Sequence, residues 1–244
     1  MPRPSLALAT LLAWMAPSAA QAALVNDYSP TDDVWNTPVA AGHLLLDLRT
    51  DYTLATTPTA LLLPVGSIVY GVVPNVEAGV WGAYGFTNPG LAGMTAAPQI
   101  VNPYVKWQFA TLGKTALGVV GGYQIPTIAG TDHDVALEGV ASTQFTNAFL
   151  LDVGLGAGDD LGGSGGILGH VNVCGYYTIP SGQTLLAEAY GVVSTAVPAS
   201  YGQHVGVDFP VTSSLTTDVG ISGAEVAGTG FAGLTPQLGA TYTF

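Results

Sequence analysis

Asn102–Phe109 reads "NPYVKWQF". Successive side chains of an extended strand point to opposite faces. Val105, Trp107 and Phe109 therefore share one face, and Tyr104, Lys106 and Gln108 share the other. A soluble β-sandwich also alternates, but its polar face meets water and is dense in Lys and Glu. Lys106 is one of only three cations after residue 22, and 8% of all residues are charged. The pattern predicts an inside-out protein, with the apolar face toward lipid and the polar face toward a lumen. Backbone groups at membrane depth must all be paired, so strands there close into a barrel.

The same parity extends along the chain. In "HLLLDLRTDY" (43–52) Leu44, Leu46, Leu48 and Tyr52 oppose Asp47, Arg49 and Asp51. In "NVEAGVWGAY" (75–84) Val76, Val80 and Tyr84 oppose Glu77 and Trp81. In "FLLDVGL" (149–155), "GHVNVCGYY" (169–177) and "LLAEAYG" (185–191), Asp152, His170, Tyr176, Glu188 and Tyr190 fall opposite the apolar runs. Twelve strands are predicted, at about 42–55, 60–73, 75–86, 99–111, 114–125, 132–143, 145–157, 165–178, 183–195, 200–210, 213–224 and 235–244. Ten is the alternative count. The fold class is all-β, a transmembrane antiparallel up-and-down barrel.

Connection lengths give an independent sign. "VVPN" (72–75), "TLGK" (111–114), "STQ" (142–144), "IPSGQ" (179–183) and "FPVTSS" (209–214) read as tight turns. "FTNPGLAGMTAAP" (86–98), "AGDDLGGSGG" (157–166) and "AEVAGTGFAGLT" (224–235) read as long loops. Outer-membrane barrels have short periplasmic turns and longer outer loops, so both termini are expected on the periplasmic side. Trp107, Phe109, Phe145, Tyr177, Phe209 and Phe244 then gather near the turn end, and Tyr52, Tyr84, Tyr123 and Tyr201 near the other. Two such belts are what amphipathic rings form at the two interfaces of a bilayer.

The chain ends "LGATYTF" (238–244), still alternating, which makes it a closing strand. Its C-terminal aromatic resembles the signal that barrel-assembly machinery reads. At the other end, "MPRPSLALATLLAWMAPSAAQA" (1–22) has Arg3, an apolar run from Leu6 to Met15 and a small-residue stretch closing in Ala20-Gln21-Ala22. That is the layout of a secretory signal peptide, cleaved after Ala22. Residues 23–41, within "ALVNDYSPTDDVWNTPVAAG" (23–42), form either a periplasmic lead or an insert into the lumen, and the barrel spans 42–244.

Composition excludes several classes. Sixteen acids against four cations leave no basic surface for nucleic acid. The single Cys174 excludes an intrachain disulfide and a CxxC redox pair. The chain is apolar, with 48% hydrophobic residues and a mean hydropathy of +0.43, yet no run of 18 apolar residues is present. His43, His133, His170 and His204 lie far apart in sequence, so no metal or cofactor site follows. Ser164 in "GGSGG" lacks the strand-to-helix setting of a nucleophile, and no enzyme is read from the chain.

Several segments resemble, in order, the family of outer-membrane transporters known as meta-pathway of phenol degradation-like proteins. They are "TPVAAGHLLLDLRTDY" (37–52), "YGVVPNVEAGVWGAYG" (70–85), "NPYVKWQFATLGKTALGVVGGYQIPT" (102–127), "LLAEAYG" (185–191) and "VTSSLTTDVGISG" (211–223). The resemblance implies a twelve-stranded barrel passing small hydrophobic or aromatic molecules. The chain departs from that family in its scarcity of Lys and Arg.

The inward parity predicts a lumen lined by Asp47, Arg49, Asp51, Glu77, Trp81, Tyr104, Lys106, Glu138, Asp152, His170, Glu188, Tyr190, Asp208 and Asp218. Two readings stay open for the charges: an electrostatic constriction that selects solutes, or ion pairs that fill a medium-sized barrel. The expected partners are outer-membrane lipid, lipopolysaccharide, the assembly machinery and a small solute. A non-transporting structural barrel is the alternative.

Overall fold

A computed structural model of the chain describes residues 38–53, 60–87, 95–126, 134–160, 166–195, 198–228 and 230–244. The signal-like residues 1–22, most of the lead, His133 and Ser164 lie outside these. Twelve strands run in chain order: β1 Leu44–Thr53, β2 Ala60–Val73, β3 Val76–Thr87, β4 Thr95–Leu112, β5 Thr115–Pro126 and β6 Asp134–Thr146. They continue with β7 Phe149–Asp160, β8 Ile167–Thr178, β9 Thr184–Ser194, β10 Ser200–Pro210, β11 Leu215–Val226 and β12 Gly230–Thr243. Each pairs antiparallel with its chain neighbours, and β1 pairs with β12 to close the barrel. Closure removes the exposed edges that an open sheet would leave.

The last strand answers for the alternating C-terminus. Leu45 stands opposite Thr243 and Asp51 opposite Gln237, so β12 is paired along its length. The Phe244 amide donates to the Leu44 carbonyl at 2.8 Å, which ties the final residue to the start of β1.

The wall is apolar outside. Leu48, Ile68, Val80, Leu137, Leu155 and Leu238 are exposed there. So are the ten aromatics expected in the two belts. Trp107 and Phe109 meet edge to face at 5.7 Å, as do Tyr242 and Phe244 at 4.6 Å.

Two connections differ from expectation. The "STQ" stretch is strand: β6 continues to Thr146, and the turn is Asn147–Ala148. The Thr146 hydroxyl accepts from the Ala148 and Phe149 amides at 3.2 and 3.0 Å, a side-chain-closed turn. The long loop expected after the eleventh strand shrinks: β11 runs to Val226 and β12 begins at Gly230. Ala224, Gly230 and Gly233 stay in the ladder, across a bulge at Ala224/Glu225, because neighbouring strands supply the hydrogen bonds that local propensity does not.

The sequence left residues 23–41 open between a periplasmic lead and a lumen insert. The described part, 38–41, lies against the inner wall. Val39 packs on the interior cluster that includes Leu45, Val69 and Tyr104, and its amide donates to Glu77 Oε2 at 2.7 Å. Ala41 bridges Gly71 in parallel, so the segment runs beside β2 in the same direction. It then reverses: the His43 amide donates to the Ala40 carbonyl at 2.9 Å, with Gly42 at φ 84°. A positive φ at the third residue of such a turn favours glycine. The chain thus leaves the lumen and enters the wall as β1.

Candidate functional site: the barrel interior

Antiparallel register decides which inward side chains meet, since directly opposed residues share a face. Following the ladder from strand to strand gives rows across the inner wall. One row passes through Glu77, Lys106, Val120, Glu138, Gly156 and His170. A second passes through Ser142, Asp152, Cys174, Glu188 and His204. A third passes through Asp208, Asp218, Gly239 and Arg49. A fourth passes through Thr241, Asp47, Ser67, Trp81 and Asn102.

All fourteen residues proposed from parity are on this face. Among the described residues, eight carboxylates are buried there: Asp47, Asp51, Glu77, Glu138, Asp152, Glu188, Asp208 and Asp218. Two buried cations, Arg49 and Lys106, accompany them, with His170 and His204. Trp81 and Tyr104 are buried as well, and Tyr190 lies half-buried across Gly202, its opposite residue on β10. Nearly all of these side chains are buried, so the interior groups pack on one another.

The register brings specific charges together. Lys106 faces Glu77, with Nζ 2.9 Å from Oε1. Glu77 is 1% exposed; one oxygen accepts the Val39 amide and the other is ion-paired with the Lys106 ammonium. Arg49 forks onto Asp51 two residues along its own strand, with Nε–Oδ1 at 2.9 Å and Nη2–Oδ2 at 3.3 Å. Asp218 leans over Gly239 toward this group: a Cβ at Gly239 would lie 2.4 Å from its Oδ1. Asp47 accepts the Thr241 hydroxyl at 2.9 Å. His170 Nε2 is 3.5 Å from Glu138 Oε2.

Asn102, Asn172, Ser67 and Ser142 are equally buried on the inner face and were not among the residues singled out by charge or aromaticity. Parity alone would have found them. Nothing in the sequence signals that Val39 reaches Glu77. Among the described residues, no three His, Cys, Asp or Glu side chains are grouped so as to hold a metal ion.

No family model matches the chain, and no curated protein matches it by sequence. Solved structures do. An outer membrane channel from Pseudomonas putida F1 is 11% identical, with a TM-score of 0.66 over 85% of this chain and 97% of that one. The NanC porin is 10% identical, with a TM-score of 0.65 over 81% and 98%. The translocator domain of the autotransporter NalP from Neisseria meningitidis is 9% identical, with a TM-score of 0.53 over 99% and 100%. At such identities the shared property is the fold, and one fold carries several functions. This chain has the closed antiparallel barrel of outer-membrane proteins.

Proposed function

We propose that this protein is an outer-membrane channel for small molecules, of the hydrophobic or aromatic class, inserted with both termini on the periplasmic side. One observation carries the reading: an apolar wall with two aromatic belts encloses an interior of eight carboxylates and inward aromatics. A barrel serving only as a scaffold has no need to bury charge that costs desolvation energy. Trp81, Tyr104, Tyr176 and Tyr190 offer ring faces to a passing aromatic solute. The excess of carboxylates disfavours anions and admits neutral or cationic molecules. The likeness to outer-membrane channels and porins supports the location and the conducting role.

A second reading, a non-transporting structural barrel, is favoured by the low exposure of the inward side chains. Twelve strands fall between barrels filled by side chains and those that leave an aqueous channel. Purified protein in liposomes decides between the two. We expect single-channel conductance and uptake of neutral phenol and cationic benzylamine ahead of anionic benzoate. A sealed barrel that admits none of the three leaves the structural reading.

A further inference from the structure

We infer that Gly71 is the residue that sets the bore of this channel, as the seat on which residues 38–41 lie inside the barrel. The inference rests on the channel reading above and goes beyond it by naming what limits passage. Gly71 faces inward near the turn end of β2 and is buried. A Cβ built there would lie 2.1 Å from the Ala40 carbonyl oxygen and 2.4 Å from that of Val39. Both obstacles are backbone, so no rotamer change relieves them. At Gly79 and Gly202 the corresponding atom would meet a movable ring, of Tyr104 and of Tyr190, and at Gly156 and Gly158 it would meet wall carbonyls at 2.7 and 2.8 Å, but at none of these does it meet residues 38–41. Gly71 is therefore the place where a single methyl group and the inner segment exclude each other.

Two further contacts hold the segment on this seat. The Glu77 carboxylate takes the Val39 amide on one oxygen and the Lys106 ammonium on the other. Val39 packs on the apolar cluster of the inner wall. The chain turns out of the lumen at Ala40–His43 and joins the β1–β2 ladder: the Gly42 amide donates to the Gly71 carbonyl at 2.8 Å, and the Gly71 amide to the His43 carbonyl at 3.0 Å. The segment is thus anchored in the wall at its C-terminal side, and among the described residues it is held inside by Glu77, by Val39 packing and by the room over Gly71. Gly71 touches no solute. It acts by positioning a segment that occupies lumen cross-section.

The test uses the full chain in lipid vesicles. Val39→Cys in a Cys174→Ser background is labelled with a membrane-impermeant maleimide, with and without Gly71→Val. Loss of the seat should speed labelling about tenfold, the change that corresponds to about 1.4 kcal/mol of lost docking. It should also raise single-channel conductance several-fold and admit larger solutes. Deleting residues 38–41 should raise conductance equally, and adding Gly71→Val to the deletion should do nothing more. Unchanged labelling overturns the inference, and so does a conductance gain from Gly71→Val that persists in the deletion. If the valine variant does not fold, Gly71→Ala carries the same clash with one methyl group. Faster labelling with no conductance in any variant would instead remove the channel reading and leave the seat in place.

Discussion

The two buried cations of the barrel carry the same charge in different settings. Arg49 sits on β1, at the closing pair of strands, and its guanidinium is forked onto Asp51 of the same strand. Asp47 and Asp218 complete an acidic surround drawn from β1 and β11. Lys106 sits on β4 and meets Glu77 across the ladder. That acid also holds the inner segment through Val39. A planar fork fixes direction as well as charge, whereas an ammonium acts as a point charge on a flexible stem. The arrangement holds the Arg49 fork within one strand beside the barrel seam and places Lys106 where β3, β4 and the inner segment meet.

Arg49→Met should produce the largest effect. It leaves Asp47, Asp51 and Asp218 without their cation in a confined space, and breaking a buried pair this way costs about 3–5 kcal/mol. Urea unfolding in vesicles, read by heat-modifiable gel mobility, measures it. If Lys106→Met costs as much, the two settings are equivalent and the distinction fails. Arg49→Lys sharpens the point. It keeps the charge and loses the fork, so we expect about 1–3 kcal/mol, the range for a buried polar group left unmatched. A variant as stable as the parent would show that charge alone is at work.

Lys106→Met should be milder for the fold, because Glu77 keeps the Val39 amide as a donor. The expected cost is again about 1–3 kcal/mol. Its main signature is electrical. Removing one of two buried cations makes the lumen more negative and shifts permeation toward cations, while Glu77→Gln shifts it the other way. Reversal potentials in a salt gradient report both. Two variants that match the parent would mean that ions do not pass this pair.

The pairing of Glu77 with Lys106 was legible in the sequence, because parity put both inward and consecutive strands of an up-and-down barrel are neighbours. The inward set as a whole was legible for the same reason: period two survives even where strand ends shift. The shifted ends have local causes. "STQ" looks like a turn, but Thr146 two residues later supplies the hydroxyl that closes the true one. The glycines around Gly228 look like loop, yet β11 runs to Val226 and β12 begins at Gly230. What parity cannot show is a contact made by a segment outside the strands. Val39 has no charge and no periodic context, and Gly71 is one of 33 glycines. Their meeting depends on the turn at Ala40–His43 folding the chain back along β2, which is a tertiary event.

The smallest expected effect tests whether Arg49 is satisfied by its own strand. Asp218 stands directly opposite Asp208 on the neighbouring strand, and like charges in that position repel. It also leans toward the Arg49 group, where Asp51 already takes the fork. Asp218→Asn removes the repulsion and an attraction that Arg49 has largely spent on Asp51. The two nearly cancel, so we expect a gain of about 0.2–1 kcal/mol, the size of a relieved cross-strand pair. The sign carries the content. A loss larger than that range would make Asp218 the main partner of Arg49 and the closure of the barrel a β1–β11 ion pair across β12. The double variant with Arg49→Met separates these cases. If Asp218 belongs to the Arg49 group, neutralising it should recover about 0.5–3 kcal/mol of what Arg49→Met loses, a coupling expected of charges in contact. Strict additivity would place Asp218 outside the Arg49 group, with Gly239 as a wall between them.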